Sequence, residues 1–232
     1  MSTKNPFVSA LLACLVIPYV LTGHAAGGEY FPYREGFTTE FNVVIKRGDE
    51  TKERVMQFAL GPKEKLNGVD AITVIVAGKG RNEFTTQSKT FYDENQQGVK
   101  EIARQGTEDN NPKILDDSWP LKYPLAPGAT WTSNGELFLR DERVPARFEC
   151  VIQTMEDLVT VPAGTFKRCV KIKKSFDGDV SLASHGGQLR VKAESYLWYA
   201  PCIGFIKGSY IARCSDPRLD AELLMEMTSY KN

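Results

Sequence analysis

Four cysteines form the clearest chemical pattern in the sequence: Cys150, Cys169, Cys202 and Cys214. An even number of thiols in an exported chain predicts two disulfides. Zinc binding is the alternative, but no two of these cysteines have the close Cys-x-x-Cys spacing of a zinc-binding pair. The only histidine after the N-terminal segment is His185, so few nitrogen ligands are available. The pattern favours disulfides over a metal site, provided that the chain is exported.

Few residues could support catalysis. A serine hydrolase needs a base beside its nucleophile, but His185 lies in a glycine-containing turn, residues 184–187, and the chain has no G-x-S-x-G motif. Residues 177–179 (DGD) lack the further oxygen ligands of a calcium-binding loop and are typical of a hairpin turn. We therefore expect a protein that is not an enzyme, with no catalytic residue, no cofactor and no metal.

Three lysines, Lys171, Lys173 and Lys174, lie close together in a strand-like run. Charged side chains on a strand commonly form a solvated face and hinder association with other sheet edges. We expect these three side chains to face solvent.

Three tryptophans are candidates for the wall of a ligand site: Trp119, Trp131 and Trp198. Their rings could pack against an apolar ligand or a sugar, whereas most aromatic residues of a sheet belong to its core. Both interpretations stay open at this point.

The N-terminus predicts export. Lys4 precedes residues 7–21, which are apolar and carry no charge, and the small residues Gly23 and Ala25 follow. This is the layout of a secretory signal peptide, residues 1–25, with cleavage after Ala25. The apolar run is too short to cross a bilayer comfortably and is broken by Pro18. We expect a periplasmic or extracellular mature protein without a transmembrane span.

A lipoprotein is the alternative form of export. Residues 11–14 (LLAC) resemble a lipobox, in which lipid would be attached to Cys14. The apolar run continues to residue 21, however, whereas lipidated proteins usually become polar directly after the cysteine. Cleavage after Ala25 is therefore favoured over lipid attachment at Cys14.

The charge balance limits the classes of partner. The chain has 29 basic and 29 acidic residues and a formal net charge of zero. Proteins that bind nucleic acid or anionic membrane surfaces usually carry an excess of basic residues. We therefore expect no nucleic-acid partner.

The dominant period of the sequence is two, which predicts β-strands. Residues 40–45, 84–92, 136–140 and 147–153 form short strand-like runs, and clusters of Gly, Pro, Asn or Asp separate many of them. Such runs indicate an antiparallel architecture and not βαβ units. We predict an all-β fold with a curved antiparallel sheet, half-barrel or sandwich-like. Residues 219–227 fit a helix or a strand, and we favour a strand.

The mature chain, residues 26–232, is long enough to bury a core of its own as a single all-β domain. Residues 105–127 are rich in Pro and Asp and show little periodicity. They predict a long connection between two halves, at about 26–105 and 121–232.

A short internal repeat accompanies this division. Residues 31–36 (FPYREG) resemble residues 123–128 (YPLAPG), because each segment has an aromatic-Pro pair and a Gly four residues after the Pro. The pair favours extended backbone and the glycine permits a tight turn into a strand. Two related halves or a chance similarity of turn chemistry would each explain the repeat.

Two C-terminal segments resemble signatures of the DUF3108 and DUF3108-like families of uncharacterised bacterial exported domains. One is residues 161–172 (VPAGTFKRCVKI) and the other is residues 198–207 (WYAPCIGFIK). Residues 30–36 and 123–131 are similar to the motif that opens these domains. The resemblance is good over residues 121–207. It implies an exported protein with a curved antiparallel sheet and no established catalytic residues.

These two segments predict hairpin corners. Pro162 fixes one backbone angle and Gly164 can adopt the left-handed conformation that turns the chain. Pro201 interrupts the next strand-like run, and Gly204 allows the chain to return. The family usually has a glycine where this chain has Cys202.

The order of the strands predicts how the cysteines pair. If the strand that holds Cys169 is the antiparallel neighbour of the strand before Cys202, these two cysteines lie close together. The following strand runs away to Cys214, which leaves Cys150 as its partner. From the three pairings that four cysteines allow, we expect Cys169–Cys202 and Cys150–Cys214.

Two classes of function fit these features. The first is a non-catalytic binding or carrier module, in which the concave face of the sheet holds an apolar ligand, a glycan or a partner protein. The second is a structural or assembly factor of the cell envelope that docks by a sheet edge. An enclosed apolar pocket would favour the first, and a long unprotected edge strand would favour the second.

Overall fold

The computed structural model describes residues 27–79, 84–139, 142–182 and 187–231. These ranges contain thirteen strands and two short 3-10 helices, Gly27–Tyr30 and Pro217–Leu219. The strands are β1 (Thr38–Arg47), β2 (Glu50–Leu60), β3 (Glu64–Leu66), β4 (Val69–Lys79), β5 (Phe84–Asn95), β6 (Gly98–Gly106), β7 (Lys113–Lys122), β8 (Thr130–Leu139), β9 (Glu142–Val161), β10 (Gly164–Ser181), β11 (Gln188–Ala200), β12 (Gly204–Cys214) and β13 (Ala221–Lys231). The prediction of an all-β fold is confirmed, including the C-terminal strand.

All the strand pairings are antiparallel, and twelve strands follow one another in a single sheet. Their order is β7-β6-β5-β4-β2-β1-β13-β12-β11-β10-β9-β8, and β3 pairs with β4 beside this path. The first strand, β1, therefore pairs with the last, β13. The sheet curls until its end strands β7 and β8 meet, so it is nearly closed into a barrel and more curved than the predicted half-barrel.

The seam between β7 and β8 is held by side chains. The backbone N–H of Trp119 donates to the hydroxyl of Ser133 at 2.8 Å, and the indole of Trp131 donates to the Trp119 carbonyl at 3.0 Å. The Asn134 amide donates to the carbonyl of Asp116 at 3.0 Å. The described residues of β7 and β8 form no regular backbone ladder with each other. Side-chain hydrogen bonds therefore replace the ladder at this one place in the ring.

The internal repeat corresponds to two equivalent turns. Gly36 and Gly128 have φ angles of 82° and 83°. The N–H of Gly36 donates to the carbonyl of Leu60, and the N–H of Gly128 donates to the carbonyl of Ile152, both at 2.8 Å. Each turn leads into a run of six sequence-adjacent main strands, β1 to β7 without β3, and β8 to β13. The two segments thus form turns of the same geometry, each before a run of main strands.

The predicted long connection contains a strand. Lys113–Lys122, within residues 105–127, forms β7 and pairs with β6. Two register shifts along this pairing and a φ of 51° at Asp117 disturb the alternation of its side chains. For this reason the sequence of β7 does not show the period of two. The link between the halves is the shorter segment 123–129.

Residues 177–179 also differ from the sequence prediction. They continue β10, and Asp177 is the register partner of Lys192 on β11. Ion pairs from Asp177 to Arg190 and Lys192 hold this part of the strand. The predicted turn is therefore absent at this position. His185, in the segment that follows β10, lies outside the described residues.

Both predicted hairpin corners are confirmed. Gly164 has a φ of 138° directly after the Pro162-Ala163 loop that joins β9 to β10, and Gly204 has a φ of 91° at the start of β12. Cys202 has a φ of 61°, a left-handed value that glycine adopts most easily. This conformation gives a physical reason for a preference for glycine at that position.

The predicted disulfides are not formed. All four described cysteines are free: Cys150 and Cys169 are buried, Cys214 is half-buried and Cys202 is exposed. Cys169 points into the core and donates to the carbonyl of Phe166 at 3.5 Å, whereas Cys202 lies at the solvent-exposed corner.

Strand order explains why the second pair is also separate. Cys150 lies on β9 and Cys214 on β12, with β10 and β11 between them. Three strand spacings amount to about 14 Å along the sheet, which is twice the Cα separation that a disulfide can bridge. Consecutive strands pair as the sequence order predicts, but Cys150 and Cys214 do not lie on consecutive strands.

Candidate functional site

The interior of the closed sheet contains a cavity of about 500 Å³. Each of the twelve strands of the ring contributes at least one lining residue, so the cavity lies on the inner side of the curved sheet. A second cavity of about 300 Å³ adjoins it, and the two share five lining residues: Phe58, Phe138, Tyr210, Leu223 and Met225. The aromatic residues of the main cavity wall are Phe31, Phe37, Phe41, Phe58, Tyr92, Phe138, Phe148, Tyr199, Phe205 and Tyr210.

Local backbone features shape the wall of this interior. Ile206 is an extra residue in the β11–β12 pairing, because Trp198 pairs with Lys207 and Tyr199 pairs with Phe205. This bulge brings Phe205 and Gly208 to the same inner face. A Cβ at Gly208 would lie only 2.9 Å from the Phe205 ring, so the absent side chain makes room for that ring. The sequence therefore uses a bulge and a glycine to place an aromatic ring on the cavity wall.

One side of the cavity wall carries a cluster of charges from three strands. Arg104 on β6 donates through Nε and Nη2 to the carboxylate of Glu101, and through Nη1 to Glu136 on β8 at 2.8 Å. Ser118 on β7 donates to Glu101 at 3.4 Å, and Arg143 lies 3.6 Å from the Glu136 carboxylate. Both carboxylates thus have basic partners, and the cluster crosses the seam between β7 and β8.

The electrostatics of this cluster keep Arg104 charged. Burial acts to lower the pKa of the Arg104 guanidinium, but the hydrogen bonds that it donates to Glu101 and the charges of Glu101 and Glu136 outweigh this effect and raise the pKa. Glu101 is 5% exposed. A buried carboxylate of this kind is stable only with a hydrogen-bonded partner, which Arg104 provides.

Lys174 on β10 is a second, separate charge on the cavity wall. Its Nζ lies 5.0 Å from the centre of the Phe148 ring. Among the described residues, no carboxylate lies within salt-bridge distance of it. Burial lowers the pKa of the Lys174 ammonium, and the nearby Cys150 and Glu101 act in the opposite direction. The prediction that Lys174 faces solvent is wrong, because Lys174 follows buried Val170 and Ile172 at a period of two.

The tyrosines of the wall are held in their neutral form. Burial and the charge of Glu101 raise the pKa of both Tyr92 and Tyr199. Burial raises the pKa of Tyr210 to about 12. The Tyr210 hydroxyl accepts from the Phe138 N–H at 3.0 Å and lies 3.2 Å from the Phe138 carbonyl, so it also bridges β12 and β8. The three tyrosines therefore add no charge to the cavity wall.

None of the three predicted wall tryptophans lines the cavity. Trp119 and Trp131 are 7% and 8% exposed and belong to the core at the seam. Trp198 lies on the other face of β11 from Leu197 and Tyr199, and its indole donates to Asp157 at 2.9 Å. Phenylalanines and tyrosines form the wall instead.

The described part of the chain contains neither a metal-binding cluster nor a membrane-spanning helix. No group of three or more His, Cys, Asp or Glu side chains there is arranged to hold a metal ion. No helix in these ranges is long and apolar enough to cross a membrane.

Comparison with known families and curated proteins gives no match. No family model matches the chain, so the resemblance to the DUF3108 families is not confirmed, and no curated protein matches it.

Two solved structures show a partial likeness. One is a candidate lipoprotein from Parabacteroides distasonis, with 14% identity, a TM-score of 0.47, and coverage of 87% of this chain and 98% of that one. The other is a candidate exported protein with a YmcC-like fold from Bacteroides fragilis, with 16% identity, a TM-score of 0.40, and coverage of 88% and 99%. TM-scores below 0.5 carry no inference about function. The predicted signal peptide, residues 1–25, and the lipobox with Cys14 lie outside the described residues.

Proposed function

We propose that this protein is an exported, non-catalytic binding module that encloses an apolar ligand inside its closed sheet. The observation that carries the proposal is the cavity of about 500 Å³, to which all twelve strands of the ring contribute. Small-molecule sites have volumes of about 300–1,000 Å³ and are lined mainly by apolar and aromatic side chains. Both properties fit this interior.

The energetics of packing support the same proposal. Protein interiors are normally packed as densely as organic crystals, and empty volume in a core lowers stability. A cavity of this size is therefore costly without an occupant. An apolar ligand would restore the missing contacts and would be shielded from water by the sheet.

Docking by a sheet edge has less support. The strands at the two ends of the sheet, β7 and β8, face each other across the seam. Their edges are therefore occupied by mutual hydrogen bonds over residues 116–119 and 131–134. A partner strand would have to break these bonds first.

A fluorescent probe tests the proposal. N-phenyl-1-naphthylamine is neutral and apolar, and its emission increases in an apolar site. We expect saturable binding of one probe per chain. In Ser195→Phe, the new ring would enter the cavity, because Ser195 is part of its wall, and probe binding should weaken at least tenfold.

The matched control is Lys192→Phe, which adds the same ring to the exposed outer face of the same strand. It should bind the probe like the wild type. Absence of saturable probe binding by the wild-type protein would contradict the proposed function.

A further inference from the structure

We propose that the ligand is a single-chain amphiphile with an anionic head group, which binds the Lys174 ammonium while its apolar chain occupies the aromatic part of the cavity. This inference rests on the proposed function, because it names the class of ligand for the same cavity.

The first step is the inventory of charges that the cavity wall presents. Glu101 and Glu136 share Arg104, and Glu136 also has Arg143 nearby. The two carboxylates and their arginines thus interact with one another. Lys174 is the basic side chain of the wall for which the described residues supply no anionic partner. A ligand therefore meets one amino group that forms no ion pair with a described carboxylate.

The second step is the space beside this charge. Gly135 on β8 also lines the cavity, and a Cβ there would lie 3.8 Å from the Lys174 Nζ and 3.2 Å from the Phe148 ring. Any larger residue at position 135 would press on the ring and occupy the space next to the ammonium. The glycine leaves that space free for a head group.

The third step is the row of residues across the strands. Ser195 on β11 is the register partner of both Lys174 on β10 and Tyr210 on β12. Directly opposed residues of antiparallel strands point to the same face of a sheet, and all three line the cavity. The hydroxyl of Ser195 is thus a neutral hydrogen-bond donor beside the ammonium. A carboxylate or phosphate oxygen can use both kinds of donor at once.

The fourth step is the rest of the wall. Beyond this row, Phe41, Phe58, Phe205 and Leu197 offer apolar surface without a charged group. An unpaired ammonium in such surroundings is costly, and a bound anion offsets that cost by forming a charge-assisted hydrogen bond. A cationic head group would instead be repelled by Lys174. An anionic head and an apolar tail together match Lys174 and the apolar part of the wall.

Ligands with one tail and different heads test this inference. The assay measures how strongly each ligand displaces bound N-phenyl-1-naphthylamine from the full mature chain. The four ligands are dodecanoic acid, dodecyl phosphate, dodecanol and dodecylamine. We expect at least tenfold tighter binding of an anionic ligand than of dodecanol, and weaker binding of dodecylamine. Comparison of the carboxylate with the phosphate shows which anion the site prefers.

Substitutions of Lys174 test whether this side chain causes the preference for an anionic head group. Lys174→Met should still bind the probe but should bind dodecanoic acid and dodecanol equally. Lys174→Arg should retain the tighter binding of dodecanoic acid. Lys173→Met is the control, because Lys173 lies on the outer face and pairs with Glu194 at 2.6 Å. Equal affinities for dodecanoic acid and dodecanol in a wild-type protein that binds the probe would overturn the inference alone. A wild-type protein that does not bind the probe would overturn the proposed function.

Discussion

The ammonium of Lys174 lies 5.0 Å from the centre of the Phe148 ring, on the wall of an apolar cavity. A cation over a ring face gains some electrostatic stabilisation, but less than a carboxylate partner would supply. The pair therefore marks a place where a charge is held inside the protein without full compensation. The cavity, this charge and the absence of a covering side chain at Gly135 together define the site.

The lowered pKa of Lys174 predicts a pH-dependent effect on stability. In the unfolded chain a lysine titrates at about 10.4, and burial lowers the pKa in the folded protein. Because burial disfavours the protonated form of Lys174 in the folded protein relative to the unfolded chain, Lys174 lowers the stability of the ligand-free protein at neutral pH. This penalty decreases as the pH rises between the folded and unfolded pKa values, and it disappears above the unfolded value.

We therefore expect Lys174→Met to raise the melting temperature of the ligand-free protein at pH 7 and to lose this advantage towards pH 10. Thermal unfolding of variant and wild type across this pH range measures the difference. Lys173→Met, which removes an ion pair on the outer face, should give no such gain. A constant difference between Lys174→Met and the wild type at all pH values would contradict the account.

Filling the cavity should not destabilise the fold. In a well-packed core, adding a large side chain costs about 1–3 kcal/mol, because neighbours must move. Ser195 borders empty volume, so a phenyl ring at this position has room and gains apolar contacts. We expect the free energy of unfolding of Ser195→Phe, from urea denaturation, to equal or exceed that of the wild type. A loss of more than about 1 kcal/mol would show that the site is packed.

The seam between β7 and β8 should depend on one hydroxyl. Ser133 is fully buried, and its Oγ accepts the hydrogen bond from the Trp119 N–H at 2.8 Å. Ser133→Ala would leave that buried N–H without a partner, at a cost of about 1–3 kcal/mol. Thr132→Ala, on the exposed outer face of the same strand, is the control and should cost less. Equal urea midpoints for the two variants would show that the seam has other support.

The free cysteines should differ sharply in reactivity. The thiolate is the reactive form, and burial raises the pKa of Cys150, Cys169 and Cys214 to about 11. Cys202 is exposed at its corner. We expect iodoacetamide at pH 8 to modify Cys202 first in the native protein, and all four cysteines after denaturation. Peptide mapping that finds two disulfides in the exported protein would contradict the structure.

The repeating parts of the fold were accessible from the sequence. Alternation predicted the strands, and Gly164 and Gly204 marked two corners, because their conformations require a residue without a Cβ. β7 was missed because its register shifts interrupt the period of two. The disulfide prediction was wrong because sequence order places a cysteine along a strand, but does not give its distance from a cysteine three strands away.

The site was harder to predict than the fold. A closed sheet turns one face of every strand inwards, so the wall is assembled from twelve separate segments, and no local motif identifies it. Lys174 did carry a usable signal, since it continues the inward row of Val170 and Ile172. The adjacent Lys171 and Lys173 concealed that signal by suggesting a solvated face. The three tryptophans stayed open between core and wall, because bulk alone does not tell a core position from a cavity wall.

Native mass spectrometry of the exported protein tests the central claim most directly. We expect a population of chains that carries one small molecule, and a mass increase of one dodecanoic acid when this compound is added to ligand-free protein. Ser195→Phe should carry neither, although it folds, and Lys192→Phe should behave like the wild type. A wild-type protein that shows only the mass of the bare chain, before and after addition of dodecanoic acid, would contradict the claim that the closed sheet encloses a ligand.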